Sequence, residues 1–170
     1  MKNTLTIFLM LFFLQKAQAQ MTSMEAMEKL SFLVGEWEGN AKAMTGPGKV
    51  QMIDQHESVQ LRLGGQILVI EGMGYQQGEL VFNAMALVTF DTETQQYEMQ
   101  SWLASGERTN AYFKELSPEI FEWGFPLPNG KIRYFISLDE EGRWKENGEF
   151  SPDGKNWYPS FEMLLTKKQE

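Results

Sequence analysis

Five glutamates fall in stretches that alternate like β-strands: Glu57, Glu71, Glu122, Glu149 and Glu162. A carboxyl set among apolar neighbours must find a partner or take up a proton, so these residues are the first candidates for binding or acid–base chemistry. Glu57 shares a period of two with Val59, Leu61 and Leu63, which predicts that it faces inward with them. Arg62, Arg133 and Arg143 are candidate partners, with Arg62 on the opposite parity. An inward acid and base, joined by tyrosines such as Tyr75, Tyr112 and Tyr134, could grip the polar head of an apolar ligand; the same charges could equally be ion pairs between strands. A glycosidase pair could be drawn from the same glutamates, but nothing in their spacing sets the separation that such a pair requires.

Other chemistries find little to work with. The single histidine, His56, stands in Asp54-x-His56-x-Ser58, which has the residue types of a hydrolase triad. In-line spacing on one strand does not give the converging geometry of a triad, and the polar outer face of a strand accounts for all three. Zinc and thiol mechanisms are excluded by one His and no Cys. Asp139-Glu140-Glu141 lacks the alternating oxygen ligands of a calcium loop and reads as a solvated hairpin tip. No glycine-rich phosphate loop follows a strand. Ser151-Pro152-Asp153-Gly154-Lys155-Asn156-Trp157 resembles the Asp-box of sialidases with one residue missing, a structural hairpin rather than a catalytic element.

The elements that must hold these side chains begin after a leader. Lys2 precedes an apolar run from Leu5 to Leu14, and Ala17-Gln18-Ala19 supplies the small-x-small pattern of a signal-peptidase site. Cleavage after Ala19 is expected, giving an exported protein, periplasmic or secreted, with no stable membrane anchor because the run is too short to span a bilayer. Lys2 and Lys16 leave with this segment, so the net charge moves from −8 to −10. Such acidity repels phosphate backbones, and nucleic acid is not expected as a partner.

The remaining residues, 20–170, are one domain in length. Thr22 or Ser23 caps a helix carrying Met24, Met27, Leu30 and Leu33 at helical spacing and running to about Leu33. The period then changes at Gly35, a residue able to take a positive φ, and Trp37, Gly39, Ala41 and Ala43 recur at the spacing of a strand. Ten strands are expected: 36–44, 50–63, 66–75, 80–90, 96–103, 109–116, 120–125, 131–138, 143–150 and 157–165. The third is apolar on both faces up to Glu71, which predicts a central, well-covered position. Ten short strands separated by polar turns, with one helix at the start, indicate an all-β antiparallel up-and-down barrel whose end the helix closes.

Leu33-x-Gly35-x-Trp37-x-Gly39 resembles the opening of lipocalin-like barrels, the calycin group that includes fatty-acid-binding proteins and nitrobindins. Glu57-Ser58-Val59, Leu63-Gly64-Gly65, Glu71-Gly72, Phe121-Glu122-Trp123-Gly124-Phe125, Gly148-Glu149-Phe150-Ser151 and Phe161-Glu162-Met163 extend a resemblance to a bacterial family of unknown function over nearly the whole of residues 20–170. The resemblance implies a lipocalin-like fold and transfers no activity. Nitrobindin-like proteins hold haem through a histidine near the C-terminus, where this chain offers only Tyr158 and Met163, so no cofactor is expected.

These readings combine in a barrel that binds a small hydrophobic or amphipathic molecule without catalysis of its own, as a monomer or weak homodimer. Trp37 is expected to floor the cavity, with Glu57, Glu71, Arg133 and Tyr134 as its polar contacts. A carboxylate-dependent isomerase or hydrolase using Glu57 or Glu71, and a packed interaction module with no cavity, are the alternatives.

Overall fold

In a computed structural model, residues 20–46 and 48–169 are described. The expected leader, 1–19, lies outside them. Ten antiparallel strands run in sequence as β1 (Gly35–Gly46), β2 (Lys49–Arg62), β3 (Ile67–Gln76), β4 (Glu79–Asp91), β5 (Gln96–Leu103), β6 (Arg108–Ser117), β7 (Ile120–Leu127), β8 (Gly130–Leu138), β9 (Trp144–Ser151) and β10 (Tyr158–Lys167). Each pairs with its neighbour in the chain, and β1 also pairs with β10, which closes the sheet into a barrel. Closure removes both sheet edges, and the up-and-down order is the one the turn spacing predicts.

Alternation decides which residues fill the barrel. Trp37, Val59, Leu68, Val88, Tyr97, Phe113, Phe121, Ile136, Trp144 and Leu165 all point inward and are buried. They sit towards the end at which β1 starts, with aromatic edges against faces: Trp37 and Trp144 meet at 5.8 Å and 84°, and Tyr97 and Phe121 at 5.8 Å and 84°. Aromatic pairs favour this geometry. Bulky rings from opposite walls thus make one half of the barrel solid.

The same end is plugged by a helix shorter than the periodicity predicts. Its α-helical part, α1, covers Ser23–Glu28, and a separate 3-10 turn, Ser31–Leu33, follows. Thr22 and Glu25 form a reciprocal capping box at the start. Met27 and Leu30 still reach the core, because a 3-10 turn carries the apolar stripe on after the α-helical hydrogen bonds stop. Met24, expected on the buried face, is exposed. Gly35 takes φ +135° at the start of β1, where a Cβ would strike the Lys167 side chain.

Trp37 ties plug to wall, its Nε1–H donating to the Leu33 carbonyl at 2.7 Å. From the opposite wall, the Tyr97 hydroxyl donates to the Ala26 carbonyl at 2.7 Å. The Gln95 side chain exchanges hydrogen bonds with both backbone groups of Met21.

Two expectations about strands need correction. β3 has no central place, since a closed barrel gives every strand two neighbours; its outward Val69 is half-buried and its outward Met73 exposed. Leu63 does not continue the inward row of β2 but lies exposed in a tight turn, Leu63–Gly65, at φ +51°.

Candidate functional site

Away from the plug, inward side chains are no longer covered. Ile53, Ala84, Ala111, Trp123, Phe125, Ile132, Tyr134, Phe150 and Phe161 have the inward parity of their strands and are only half-buried. Inward residues can be wet only if the barrel is open above them. The far half is therefore a cup, walled by aromatics and open at the end bearing the β1–β2, β3–β4, β5–β6, β7–β8 and β9–β10 turns.

Small residues make the room. On β3 a Cβ at Gly72 would lie 2.8 Å from Glu57 Oε1, so this glycine leaves space for a carboxyl. On β9 a Cβ at Gly148 would lie 2.8 Å from the Tyr134 ring. That ring stacks on Trp123 with centroids 4.2 Å apart.

Two acids lie between the solid half and the cup. Glu57 on β2 is 8% exposed and Glu146 on β9 is 6% exposed. Gln55 Nε2 donates to Glu57 Oε1 at 2.7 Å, and Trp123 Nε1 donates to Glu146 Oε1 at 3.0 Å. Burial pushes the Glu57 carboxyl up to about 7 against the pull of the Gln55 amide. Burial also pushes Glu146 up to about 8; the nearby charge of Glu57 adds to the rise, and the indole N–H groups of Trp123 and Trp144 oppose it. Trp144 Nε1 itself is buried without hydrogen-bonding geometry to any acceptor among the described residues. At neutral pH the pair thus holds protons that ordinary glutamates would have lost. Among the described residues no group of three or more metal-ligating side chains converges.

The fate of the predicted residues follows their parity. Glu57 faces inward as expected, opposite Trp37 on β1 and Gly72 on β3. Tyr134 faces inward on the cup wall. Trp37, 2% exposed, lies within the solid half against Trp144 instead of flooring a cavity. Glu71 pairs with Ser58 on the outer face and is exposed, so it cannot join Glu57. Arg133 also lies outside: alternation that turns Ile132 and Tyr134 inward must turn it outward.

There Arg133 pairs with Glu149 at 2.7 Å and lies 3.9 Å from the Trp157 ring centroid. Arg133 and Trp157, with Tyr112, Glu122 and Lys131, border a cleft of about 430 Å³ on the outer wall, whose lining Phe125, Pro126 and Ile132 complete. Glu122 is held in that wall by the Tyr112 hydroxyl at 2.7 Å and by Lys114 at 3.1 Å. Glu162 pairs with Lys42 on the outer face. The residues Asp54, His56 and Ser58 do not converge: Asp54 accepts from Asn40, Ser58 donates to Glu36, and His56 packs on Tyr75.

Glu146 was not among the predicted site residues. Its signal was present in the alternation of Trp144, Glu146, Gly148 and Phe150, where one acid shares a face with two aromatics and a glycine.

Residues 22–113 match a family described as "Protein of unknown function (DUF1579)". The barrel is similar to a crystal structure of Rv2717c from M. tuberculosis, with TM-score 0.60 at 12% identity over 85% of this chain and 98% of that one. It is also similar to an S-type phycobiliprotein lyase, CPES, from Guillardia theta, with TM-score 0.61 at 7% identity over 88% of this chain and 94% of that one. At such identities the likeness is one of fold. No curated protein matches the sequence.

Proposed function

The chain belongs to the DUF1579 family, proteins of unknown function, and with a closed lipocalin-like barrel as the second premise we propose that it binds a small hydrophobic or amphipathic molecule in the open half of that barrel. The observation that carries this reading is the wetting of inward aromatics: Trp123, Phe125, Tyr134 and Phe161 face the barrel axis yet are not fully buried, leaving a surface that a guest would cover. Apolar walls with a few placed polar groups are the usual form of a small-molecule site. The Guillardia theta neighbour is a phycobiliprotein lyase, so the same architecture serves a protein with work to do on a partner molecule. Export as a periplasmic or secreted protein, directed by residues 1–19 and functioning as a monomer or weak homodimer, completes the proposal.

Native mass spectrometry of the protein purified from its own host is expected to show one added small-molecule mass per chain. In titrations with naphthyl compounds, Trp123→Ala is expected to weaken binding several-fold. Absence of both an adduct and any saturable binding would sink the carrier reading.

A second reading is favoured by the two buried acids alone, because a carboxyl that stays protonated near neutrality is suited to general acid catalysis. Its residues would be Glu57 and Glu146, since Glu71 points away from the interior. Turnover of a cup-bound compound that disappears in both Glu57→Gln and Glu146→Gln would favour it over simple carriage.

A further inference from the structure

We propose, building on the carrier reading, that the guest bears an organic cation, an ammonium or amidinium head on an aromatic or alkyl body, and that this head is received by Glu57 and Glu146.

The polarity of the interior supports this choice. Among the described residues the paired basic side chains lie elsewhere: Arg133, Lys42, Lys114, Arg143 and Lys168 form outer-wall or turn pairs, Lys29 pairs with Glu115 at the plugged end, and Lys167 lies over Trp37 near that same end. The ionisable group facing Glu146 from the neighbouring strand is the phenol of Tyr134 on β8, whereas the Tyr97 hydroxyl on β5 is turned to the Ala26 carbonyl of the plug. A fatty acid entering head first would place a third carboxyl against two others with no cation to answer it. A cation would instead be answered by the carboxylate left when one of the two acids gives up its proton.

The donors tell the same story. Gln55 and Trp123 each satisfy one oxygen of their glutamate, and the buried Trp144 N–H is directed at Glu146 but falls short of hydrogen-bonding geometry. An ionised Glu146 has lone pairs for both indoles and for a guest's N–H groups, whereas its protonated form has fewer. Above the acids, the stacked rings of Trp123 and Tyr134, with Phe161 against the latter, offer an apolar wall to the aromatic or alkyl body that follows the head. Entry of an ammonium into a protonated pair expels one proton to solvent, and the charge-assisted hydrogen bonds form in its place.

The test compares three guests of one shape: 2-naphthylmethylammonium, 2-naphthylmethanol and 2-naphthoate, titrated calorimetrically into the whole protein. The ammonium is expected to bind at least about tenfold tighter than the other two, and its affinity to rise from about pH 6 to about pH 8.5 while that of the alcohol stays flat. Glu146→Gln and Glu57→Gln are each expected to remove about tenfold of ammonium affinity while leaving the alcohol within about threefold, which shows that the cup is intact. If the alcohol or the naphthoate binds as well as or better than the ammonium, the cation assignment is overturned and the carrier reading stands. If none of the three binds, both fall.

Discussion

Glu146 is the residue whose removal is most informative. The folded state keeps protons on Glu57 and Glu146 up to about 7 and about 8, whereas an unfolded glutamate releases its proton near 4.5. Between these limits the native chain binds more protons than the unfolded one, so stability falls as pH rises through that window and levels off above it. Every tenfold difference in proton affinity between the folded and unfolded chain is worth about 1.4 kcal/mol. Asp91, Asp139 and Asp153 work in the opposite direction: turn hydrogen bonds hold their carboxyls below the usual range, and that stability is lost in acid. Urea unfolding is therefore expected to show maximal stability near about pH 5. Glu146→Gln is expected to flatten the alkaline side of that curve and to raise the midpoint at about pH 8.5. An unchanged slope in this variant would show that Glu146 loses its proton normally in the folded chain. At this scale the sequence was legible wherever parity was followed through. Arg133 and Tyr134 are adjacent, as no two residues sharing one face of a strand can be, so only one of them could reach the interior. Glu57 and Glu71 lie on neighbouring strands, and only the cross-strand register, which pairs Glu71 with Ser58, separates them.

The elements depend on a few polar ties at the plugged end. Tyr97→Phe leaves the Ala26 carbonyl without its donor, a loss of about 1 kcal/mol. Trp37→Ala empties a buried site between the plug and Trp144 and is expected to cost about 3–5 kcal/mol. Hydrogen exchange is expected to show the plug amides opening before those of the barrel in the tyrosine variant, and both opening in the tryptophan variant. The extent of the helix was overread because apolar spacing persists from Met24 to Leu33, although the backbone changes from α-helix to 3-10 turn within it. Spacing reports which side chains are buried and says less about which hydrogen bonds hold the chain between them. The Asp-box-like segment behaves as a hairpin: Asp153 accepts from the Lys155 and Asn156 backbone and from the Asn156 side chain. Asp153→Ala is expected to lower the thermal midpoint without changing the affinity of any cup-bound guest.

For the whole molecule, closure between β1 and β10 is the decisive contact. A chain cut after Tyr158 would expose the edges of β1 and β9 and lose Met163 and Leu165 from the core. Light scattering is expected to find such a chain in large assemblies, because unpaired strand edges recruit one another. The number, order and approximate limits of the strands could be read from turn spacing. Their division into a packed half and a hollow half could not, since that depends on which inward side chains meet across the barrel.

A vessel sealed at its base has one neck, and any cargo of the proposed kind must pass it in both directions. A guest would go in polar end foremost and leave tail first, so its apolar end would stay nearest the surface throughout. The neck is fringed by Val50, Leu80, Val81, Phe82, Leu103 and Tyr158, large side chains left in contact with water. On the carrier reading, delivery and collection both happen at one greasy lip, and whatever exchanges cargo with the barrel touches it there.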